Sequence, residues 1–273
     1  MVSYVKIFGG LGNQLFQYSF GQYLLTIKKD YNIKYDLSYF KNEDAHELVL
    51  NKYNIDFEPI TEKEQKKLTP SFVQKIFRRI GKDHLIYNIE YEKDTFIFKD
   101  IKPKEERLYV GYWQNTKYLK KNELYLKKIF NPNYKIDTKL ERDYINIGIH
   151  VRRGDYLNID KYKVYNDDYY FKSINFIDTK IHEPKKYFIF SDEIDYCKKL
   201  FNNLKNCYFV EDSNTLGDFE LMKCMDHIII SNSTFSWWAA WLSDKKNKIT
   251  ICPKIWMKGN ENVELIQKNW IKL

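Results

Sequence analysis

Hydrophobic and polar positions follow one another along this chain in the pattern of short strands connected by helices. The apolar run VSYVKIF, residues 2–8, predicts a first strand, and the glycine-rich GGLGN after it predicts a turn. In QLFQYSFGQYLLTIKK, the residues Phe16, Phe20, Tyr23 and Ile27 recur at helical spacing and mark a buried helix face. A strand, a glycine turn and a helix open a nucleotide-type α/β unit, and NIKYDLSYF predicts the next strand.

The middle of the chain is less regular. Residues 61–80 predict one helix, which begins with a capping box formed by Thr61 and Glu64. Short apolar runs in LIYNIEYEKDTFIFKDI and in RLYVGYW predict strands, and YLKKNELYLKKIF predicts a helix. The polar, proline-containing residues 131–144 separate this half from the next and predict a domain boundary.

From residue 145 onward the alternation becomes regular. The predicted strands are INIGIHV, KKYFIFSDE, NCYFVED, DHIIISN and KITICP, and the predicted helices between them are DDYYFKSINFI, IDYCKKLFNNL, LGDFELMKCM and STFSWWAAWLS. This alternation indicates an α/β fold whose parallel sheets carry helices on both faces. We expect an N-terminal lobe over residues 1–140 and a C-terminal lobe over residues 141–273, with a last helix that packs back on the N-terminal lobe.

Composition narrows the classes of partner. The 45 basic and 37 acidic residues give a net charge of +8, but the excess lysine is scattered over surface-like helices. The chain also has no recognition module for DNA or RNA, so we expect no nucleic-acid partner. The aromatic content of 17 %, with 23 tyrosines, fits either a sugar-binding cleft or ordinary packing with solvated hydroxyls.

Cysteine usage and hydropathy bear on the compartment. The four cysteines form no C-x-x-C pair and no cluster with the five histidines, so we expect no metal site, no disulfide framework and a reducing cytoplasm. No signal peptide and no apolar run of membrane-spanning length is visible. The basic, amphipathic residues 71–82 (SFVQKIFRRIGK) predict either an ordinary surface helix or a peripheral contact with anionic lipid on the inner face of the membrane.

The segment GIHVRRGDY, residues 148–156, carries the strongest chemical signal. Arg152 and Arg153 follow an apolar strand, where a guanidinium costs desolvation unless it meets an anion. Ligands of open α/β sheets bind at strand ends, so the two arginines indicate a phosphorylated ligand such as a nucleotide. The alternative is a structural pair of either arginine with Asp155. His150 either hydrogen-bonds a base or ribose or is a satisfied core histidine.

Two turns add candidate contacts for an anion or a sugar. Ser231, Asn232, Ser233 and Thr234 stand where a strand gives way to a helix, so they form either an ordinary N-cap or an anion site opposite the arginines, if the two strands are neighbours. The glycines of GGLGN, residues 9–13, allow close approach of the backbone to a ligand, or simply form a turn. Their spacing is not that of a dinucleotide-binding motif.

Several acids stand near predicted strand ends or helix starts. A carboxylate there can accept hydrogen bonds from guanine or act as a general base, and spacing alone does not choose among the candidates. These are Asp160, Asp192, Glu193, Glu211, Asp212 and Asp218. The sequence contains no D-x-D motif.

Together these motifs resemble a known family. The segments GGLGNQLFQY, GYWQNTKYL, HVRRGDYL, FSDE and SNSTFSWWAAWL occur in the order and at the distances found in the bacterial α-1,2-fucosyltransferases, glycosyltransferase family 11. The resemblance implies a two-lobed GT-B-like fold, with the acceptor side in the N-terminal lobe and the GDP-sugar side in the C-terminal lobe. It also implies a GDP-fucose donor, a β-galactoside acceptor in a surface glycan or oligosaccharide, inversion at the transferred sugar, and no metal or other cofactor.

The resemblance assigns roles to single residues. By analogy with α-1,6- and protein O-fucosyltransferases, Arg152 would bind the pyrophosphate, His150 the guanosine, and Asp218 the guanine base. Ser233 and Thr234 would hold phosphate oxygens, and Asn13 would lie near the fucose and the leaving phosphate. Asp160 would be the base that takes the proton of the acceptor hydroxyl. The remaining expected donor contacts are Gly10, Gly12, Arg153, Asp155 and Ser231.

Other functions stay open from sequence alone. A transferase that uses another GDP-sugar would need the same guanine and pyrophosphate contacts. A non-catalytic carbohydrate-binding protein would also fit the tyrosine content. Nucleic-acid binding has only the net charge in its favour.

Overall fold

The computed structural model describes residues 1–82, 88–131, 140, 143–211, 214–260 and 263–273. The chain forms two compact units, Met1–Pro132 and Asn133–Leu273. The division therefore lies between residues 132 and 133, whereas the sequence pattern places it between 140 and 141. Most of the predicted boundary segment, residues 131–144, lies outside the described residues, as does Asp212.

The N-terminal unit is built on a parallel sheet. Within the described residues its strand order is β3-β2-β1-β5-β4, and each neighbouring pair is parallel. The strands are β1 (Val2–Lys6), β2 (Asn32–Asp36), β3 (Glu58–Pro59), β4 (Ile89–Tyr91) and β5 (Leu108–Val110). The helices are α1 (Leu11–Ile27), α2 (Glu62–Leu68), α3 (Phe72–Arg79), α4 (Lys117–Lys120) and α5 (Glu123–Ile129).

Helix α1 is the core of this unit, as its apolar periodicity predicts. Phe20 is fully buried and stacks on Trp113, with ring centroids 3.9 Å apart and planes 6° from parallel. Gly21 on the same helix faces Tyr35, because a Cβ at that position would lie 2.8 Å from Tyr35 Oη. The glycine therefore lets α1 approach β2 more closely than any other residue would allow.

Four local predictions for this unit are wrong. The one helix predicted over YLKKNELYLKKIF is two short helices, α4 and α5. Residues 61–80 form two helices, because Pro70 stands between them; the Thr61–Glu64 capping box starts α2, and a second box at Ser71 starts α3. The run NIKYDLSYF leaves the strand after Asp36, whose carboxylate accepts a hydrogen bond from Ser38 N at 2.9 Å and starts a 3-10 turn. The described part of residues 85–101 contains only β4 as a strand.

The C-terminal unit follows the regular alternation of its sequence. Within the described residues its strand order is β11-β10-β9-β6-β7-β8, again parallel throughout. The strands are β6 (Ile145–Val151), β7 (Lys185–Ser191), β8 (Cys207–Phe209), β9 (His227–Ile229), β10 (Thr250–Cys252) and β11 (Ile271–Lys272). The helices are α6 (Asp168–Lys180), α7 (Ile194–Leu200), α8 (Thr215–Lys223) and α9 (Thr234–Leu242).

The end of the chain differs from its prediction. Ile271–Lys272 form β11, which pairs with β10, so the chain ends as an edge strand of the C-terminal sheet in place of the expected last helix. A strand of two residues is too short to show an alternating hydrophobic pattern in the sequence. It forms because β10 supplies its hydrogen-bonding partner.

Strand β6 lies at the centre of the C-terminal sheet and is buried along almost its whole length. From β6 the chain builds β7 and β8 on one side, and then returns to build β9 and β10 on the other. The connections that leave the carboxyl ends of β6 and β9 therefore run in opposite directions along the sheet. This is a topological switch point, which is where open α/β sheets bind ligands. No helix of the described residues is long and apolar enough to cross a membrane.

Candidate functional site

The switch point of the C-terminal sheet brings together the two motifs that the sequence proposes as an anion site. Strands β6 and β9 pair in register, with Ile149 opposite Ile229. The arginines follow β6 and the hydroxyl run follows β9, so both emerge at the same edge of the sheet. The condition that the two strands be neighbours is met.

Arg152 is held in place by two carboxylates. Its Nη2 donates to Asp155 Oδ1 at 2.6 Å, and its Nη1 lies 3.0 Å from Asp192 Oδ2. The structural pair with Asp155, which the sequence offers as the alternative to an anion ligand, is thus present for Arg152. The side chain of Arg152 is 28 % exposed, so a ligand can reach a cation whose orientation is already fixed.

Arg153 has a different environment from its neighbour. Its Nε donates to Glu193 Oε2 at 2.9 Å, and its guanidinium carbon lies 3.4 Å from the centroid of the Tyr196 ring. Burial acts to lower the pKa of Arg153, but the hydrogen bond to Glu193 together with the nearby Tyr196, Glu193 and Asp167 raises the pKa above its usual value. Its side chain is 25 % exposed, close to the 28 % of Arg152, and it pairs with one carboxylate where Arg152 pairs with two.

Asp192 joins the ends of β6 and β7. It accepts a hydrogen bond from Arg153 N at 3.0 Å in addition to its pair with Arg152. A Cβ at Gly154 would lie 2.5 Å from Asp192 Oδ2, so only glycine leaves room for this carboxylate. From the sequence, Asp192 is one of several candidate acids without an assigned role; its one signal is the SDE run at the end of the predicted strand KKYFIFSDE.

His150 is the last but one residue of β6 and is buried. Its Nδ1 lies 2.8 Å from Ser231 Oγ, and its ring packs against Phe235 at 5.4 Å between centroids. Burial, with the charge of Arg152, lowers the pKa of His150 to about 3. The imidazole is therefore neutral near pH 7. It can donate or accept a hydrogen bond with a ligand, but at this pH it does not carry the second proton of an acid.

The hydroxyl run after β9 forms the start of helix α9. Ser233 is the N-cap, and its Oγ accepts a hydrogen bond from Phe235 N at 3.3 Å. Asn232 fixes the turn, because its Nδ2 donates to the carbonyl oxygens of Tyr162 and Trp256 at 3.1 and 3.0 Å. The ordinary N-cap is thus present, and the positive end of α9 points to the same edge of the sheet as Arg152.

The two acids that the resemblance singles out lie in contrasting places. Asp218 is half-buried in the first turn of α8, and the next residue, Phe219, packs edge-on against Phe235 at 5.4 Å. The helix that carries Asp218 is thus linked to His150 through Phe219 and Phe235. Asp160 is 81 % exposed, and its two oxygens lie 3.2 and 3.3 Å from Lys258 Nζ.

The glycine turn of the N-terminal unit is held by buried amides. Gly9 has a positive φ of 76°, and Gly10 is the N-cap of α1, with Gly12 buried in its first turn. Asn13 Oδ1 accepts a hydrogen bond from Gln114 Nε2 at 3.0 Å, which ties GGLGN to the GYWQN segment. Gln14 Nε2 donates to Gly9 O at 2.9 Å and to Glu47 O at 2.8 Å, a role that sequence reasoning missed.

A cleft of about 490 Å³ opens at the carboxyl ends of the strands in the same unit. It lies where β1, β2, β4 and β5 end, and aromatic and charged side chains share its wall. These side chains include Phe8, Tyr39, Tyr91, Lys6, Asp36 and Arg78. Nothing in the sequence pattern singles out this set, since its members come from separate strands, turns and α3.

Comparisons with known proteins agree on one family. The family Glycosyl transferase family 11 matches residues 1–273. The chain is 31 % identical to an alpha-1,2-colitosyltransferase of Escherichia coli, over 98 % of this chain and 97 % of the relative. It is 28 % identical to the O-antigen biosynthesis glycosyltransferase WbnK of Escherichia coli, over 99 % and 100 %. A galactoside alpha-(1,2)-fucosyltransferase 1 of Aotus azarae is 30 % identical over 36 % of this chain and 28 % of its own length.

Solved structures agree on the fold. The fucosyltransferase NodZ from Bradyrhizobium superposes with a TM-score of 0.53 at 11 % identity, over 88 % of this chain and 93 % of its own. The alpha-1,6-fucosyltransferase NodZ soaked with GDP-fucose gives 0.54 at 13 % identity, over 89 % and 93 %. This likeness, with the two parallel sheets, confirms the expected GT-B-like fold. By its sequence over the full length, the chain belongs to glycosyltransferase family 11.

Proposed function

We propose that this glycosyltransferase transfers L-fucose from GDP-fucose to the 2-hydroxyl of a terminal β-galactoside, with inversion at the anomeric carbon. The single observation that carries the donor assignment is that Arg152 and the start of α9 follow two paired strands, β6 and β9, at the same edge of the C-terminal sheet. A fixed guanidinium and a helix N-terminus are suited to a diphosphate. The full-length relatives with α-1,2 and O-antigen names support the linkage and the glycan acceptor.

The proposed chemistry follows from where charge develops. The acceptor oxygen forms a bond to the anomeric carbon while the bond from that carbon to the phosphate oxygen breaks, so negative charge grows on GDP. Arg152 is already oriented by Asp155 and Asp192, and the amides at the start of α9 are already aligned, so little reorganisation is needed as the charge appears. In this proposal these groups take the place of a metal.

The remaining donor contacts are proposed on the same geometry. Neutral His150 would hydrogen-bond the guanosine, with its ring fixed by Ser231 and Phe235. Asp218 would accept hydrogen bonds from the guanine base. Ser233 and Thr234 would meet phosphate oxygens at the helix start, while Gly10, Gly12 and Asn13 would face the sugar.

The acceptor is proposed to bind in the cleft of the N-terminal unit. Phe8, Tyr39 and Tyr91 offer aromatic faces to the apolar face of a galactoside, and the Lys6–Asp36 pair, at 3.5 Å, offers polar contacts. Asp160 is proposed as the base that removes the hydroxyl proton. Its two carboxylate oxygens are exposed and lie 3.2 and 3.3 Å from Lys258 Nζ.

A second candidate donor has a specific observation in its favour. The alpha-1,2-colitosyltransferase matches this chain along its whole length. Colitose is fucose without the 3-hydroxyl, so GDP-colitose would use the same guanine and diphosphate contacts. Only the pocket around the sugar would distinguish the two donors, and a site that hydrogen-bonds the 3-hydroxyl would discriminate strongly for fucose.

The test is turnover with defined donors. The full chain is incubated with GDP-fucose, GDP-colitose or GDP-mannose and a panel of β-galactosides, with and without EDTA, and the product linkage is determined by NMR. We expect an α-1,2-linked fucoside whose rate EDTA leaves unchanged. Transfer from GDP-colitose alone would move the assignment to the second donor, and GDP binding without transfer from any donor would contradict a transferase.

We also propose that the protein works in the cytoplasm. The thiols of Cys197 and Cys252 are buried and free, as suits a reducing compartment. Fractionation of cells that express the chain, with a cytoplasmic and an exported marker protein, tests this placement.

A further inference from the structure

Helix α3 exposes an apolar surface to solvent. Phe72 is 78 % exposed, Val73 54 %, Ile76 39 % and Ile80, the C-cap, 57 %. At about 100° per residue, these four positions lie within an arc of about 100° on one side of the helix. We call them the apolar stripe of α3. Four large exposed hydrophobic side chains on one face indicate an interaction surface.

The stripe is not the side of α3 that packs on its own unit. Phe77, on the inner side, packs against the core cluster of Tyr4, Leu68, Ile89 and Leu108. On the same side, Gln74 Nε2 donates to Asn88 Oδ1 at 2.9 Å, and Arg78 lies over the Tyr91 ring at 4.3 Å. The helix is therefore already fixed to the unit by one face while the other remains exposed.

Charge decides which partner fits the stripe. Residues 71–82 contain Lys75, Arg78, Arg79 and Lys82 and no acid. On the helix, Lys75 and Arg79 lie directly beside the stripe, within about 60° of Phe72. A surface that is apolar in the middle and cationic at its margin matches the acyl boundary and headgroups of an anionic bilayer. A second copy of the chain would set these cations against each other.

We propose that α3 binds the surface of an anionic lipid bilayer, with the apolar stripe inserted among the headgroups and acyl chains and with Lys75 and Arg79 on lipid phosphates. The geometry has a consequence for the cleft of the N-terminal unit, because Arg78 of α3 is part of its wall. The cleft then lies next to the bilayer, and, resting on the proposed function, its acceptor is a glycan carried on a membrane lipid.

Vesicle sedimentation tests the membrane surface without any assumption about the reaction. The full chain is spun with vesicles of phosphatidylcholine and 30 % phosphatidylglycerol, or of phosphatidylcholine alone. We expect sedimentation with the anionic vesicles, at least tenfold weaker binding to the neutral ones, and release in 0.5 M NaCl. Absence of binding to anionic vesicles would overturn the proposal.

Matched variants locate the contact. F72S/I76S removes apolar surface from the stripe, while L124S removes a side chain that is 86 % exposed on α5. K75E/R79E reverses charge beside the stripe, while K120E/K121E does so at the end of α4. We expect at least tenfold weaker binding for each α3 variant, with thermal midpoints near wild type, and wild-type binding for each control. The proposal would be contradicted if F72S/I76S bound anionic vesicles as well as wild type does. It would also be contradicted if wild type were a dimer that F72S/I76S dissociates, because the stripe would then bind a second copy of the chain.

The acceptor consequence has its own readout. Fucose transfer is measured to a β-galactoside lipid in anionic vesicles and to the same galactoside free in solution. We expect F72S/I76S to lose at least tenfold on the vesicle-borne acceptor and to keep the wild-type rate on the free one. If wild type and F72S/I76S each transferred fucose at the same rate to both acceptors, the lipid-borne acceptor would be overturned, while the vesicle-binding result would stand. If neither protein transferred fucose to either acceptor, only the proposed function would be contradicted.

Discussion

Arg152 and Arg153 show that the orientation of a side chain in a site depends on the residues packed around it. They are adjacent and of one residue type, yet Arg152 is oriented at the sheet edge by Asp155 and Asp192, while Arg153 is turned to Glu193 and Tyr196. The sequence predicts both as anion ligands. It cannot separate them, because Asp192 and Glu193 are about 40 positions away and meet the arginines only through the pairing of β6 with β7.

The first prediction at this scale concerns His150. Its pKa falls from 6.5 in the unfolded chain to about 3 in the fold, so the unfolded chain binds the extra proton between those values. His150 therefore adds stability that is fully present above pH 6.5 and is lost as the pH falls toward 3. Each pKa unit is worth about 1.4 kcal/mol, so the loss amounts to several kcal/mol.

The measurement is urea unfolding of wild type and H150N between pH 4 and pH 8. Asparagine keeps an atom able to hydrogen-bond Ser231 but does not titrate. As the pH falls, wild type loses stability because its unfolded chain protonates His150 while the folded chain does not. H150N has no such loss, so we expect the difference in unfolding free energy between the two proteins to shrink. A difference that is constant with pH would contradict the buried neutral imidazole.

At the scale of elements, the two units differ in how far their sequence predicts them. Strands β6 to β10 and their helices follow from the alternation of apolar runs, because every strand except the edge strand β8 is largely buried and the helices cover the faces of the sheet. The stretch between β2 and β5 is held by turns and side-chain contacts, such as the hydrogen bond that the Asp36 carboxylate accepts from Ser38 N. Such contacts leave no periodic pattern of apolar residues in the sequence. Pro70 was the readable signal there, and it breaks the expected helix.

The prediction at this scale concerns Gly21 in the middle of α1. Glycine to alanine within a helix ordinarily stabilises by about 1 kcal/mol. Here the added Cβ would lie 2.8 Å from Tyr35 Oη and 3.2 Å from Ile33 Cγ2, so we expect G21A to destabilise the protein by about 1–3 kcal/mol.

Chemical denaturation of G21A, Y35F and the double variant measures this effect. Y35F removes the oxygen closest to the new Cβ, so the cost of G21A should be smaller in the Y35F background. Stabilisation by G21A in the wild-type background would show that α1 and β2 are not so closely packed.

For the whole molecule, the fold class was readable and the sites only in part. Alternating strands and helices predict parallel sheets, and the family resemblance predicts two lobes of GT-B-like type, which likeness to NodZ confirms. The switch point follows from strand order, which the sequence does not state. The cleft of the N-terminal unit could not be predicted, because it is assembled from strands, turns and α3 by tertiary packing.

Hydrogen exchange tests the division of roles between the units. We expect saturating GDP to slow amide exchange in residues 150–158 and 231–236, because a ligand that binds only the folded state stabilises the segments that hold it. Residues 36–41, beside the cleft of the N-terminal unit, should exchange at the unliganded rate with GDP alone. Protection confined to the N-terminal unit would contradict the proposed donor site.

The central claim, that Arg152 and the start of α9 bind the diphosphate, is tested most directly by the GDP affinity of R152A. Isothermal titration calorimetry compares wild type, R152A and R79A, the last of which removes the same charge from exposed α3. We expect R152A to weaken GDP binding by about 2–3 kcal/mol, which is a factor of about 30 to 150, and R79A to leave it unchanged. Wild-type affinity in a folded R152A protein would contradict the claim.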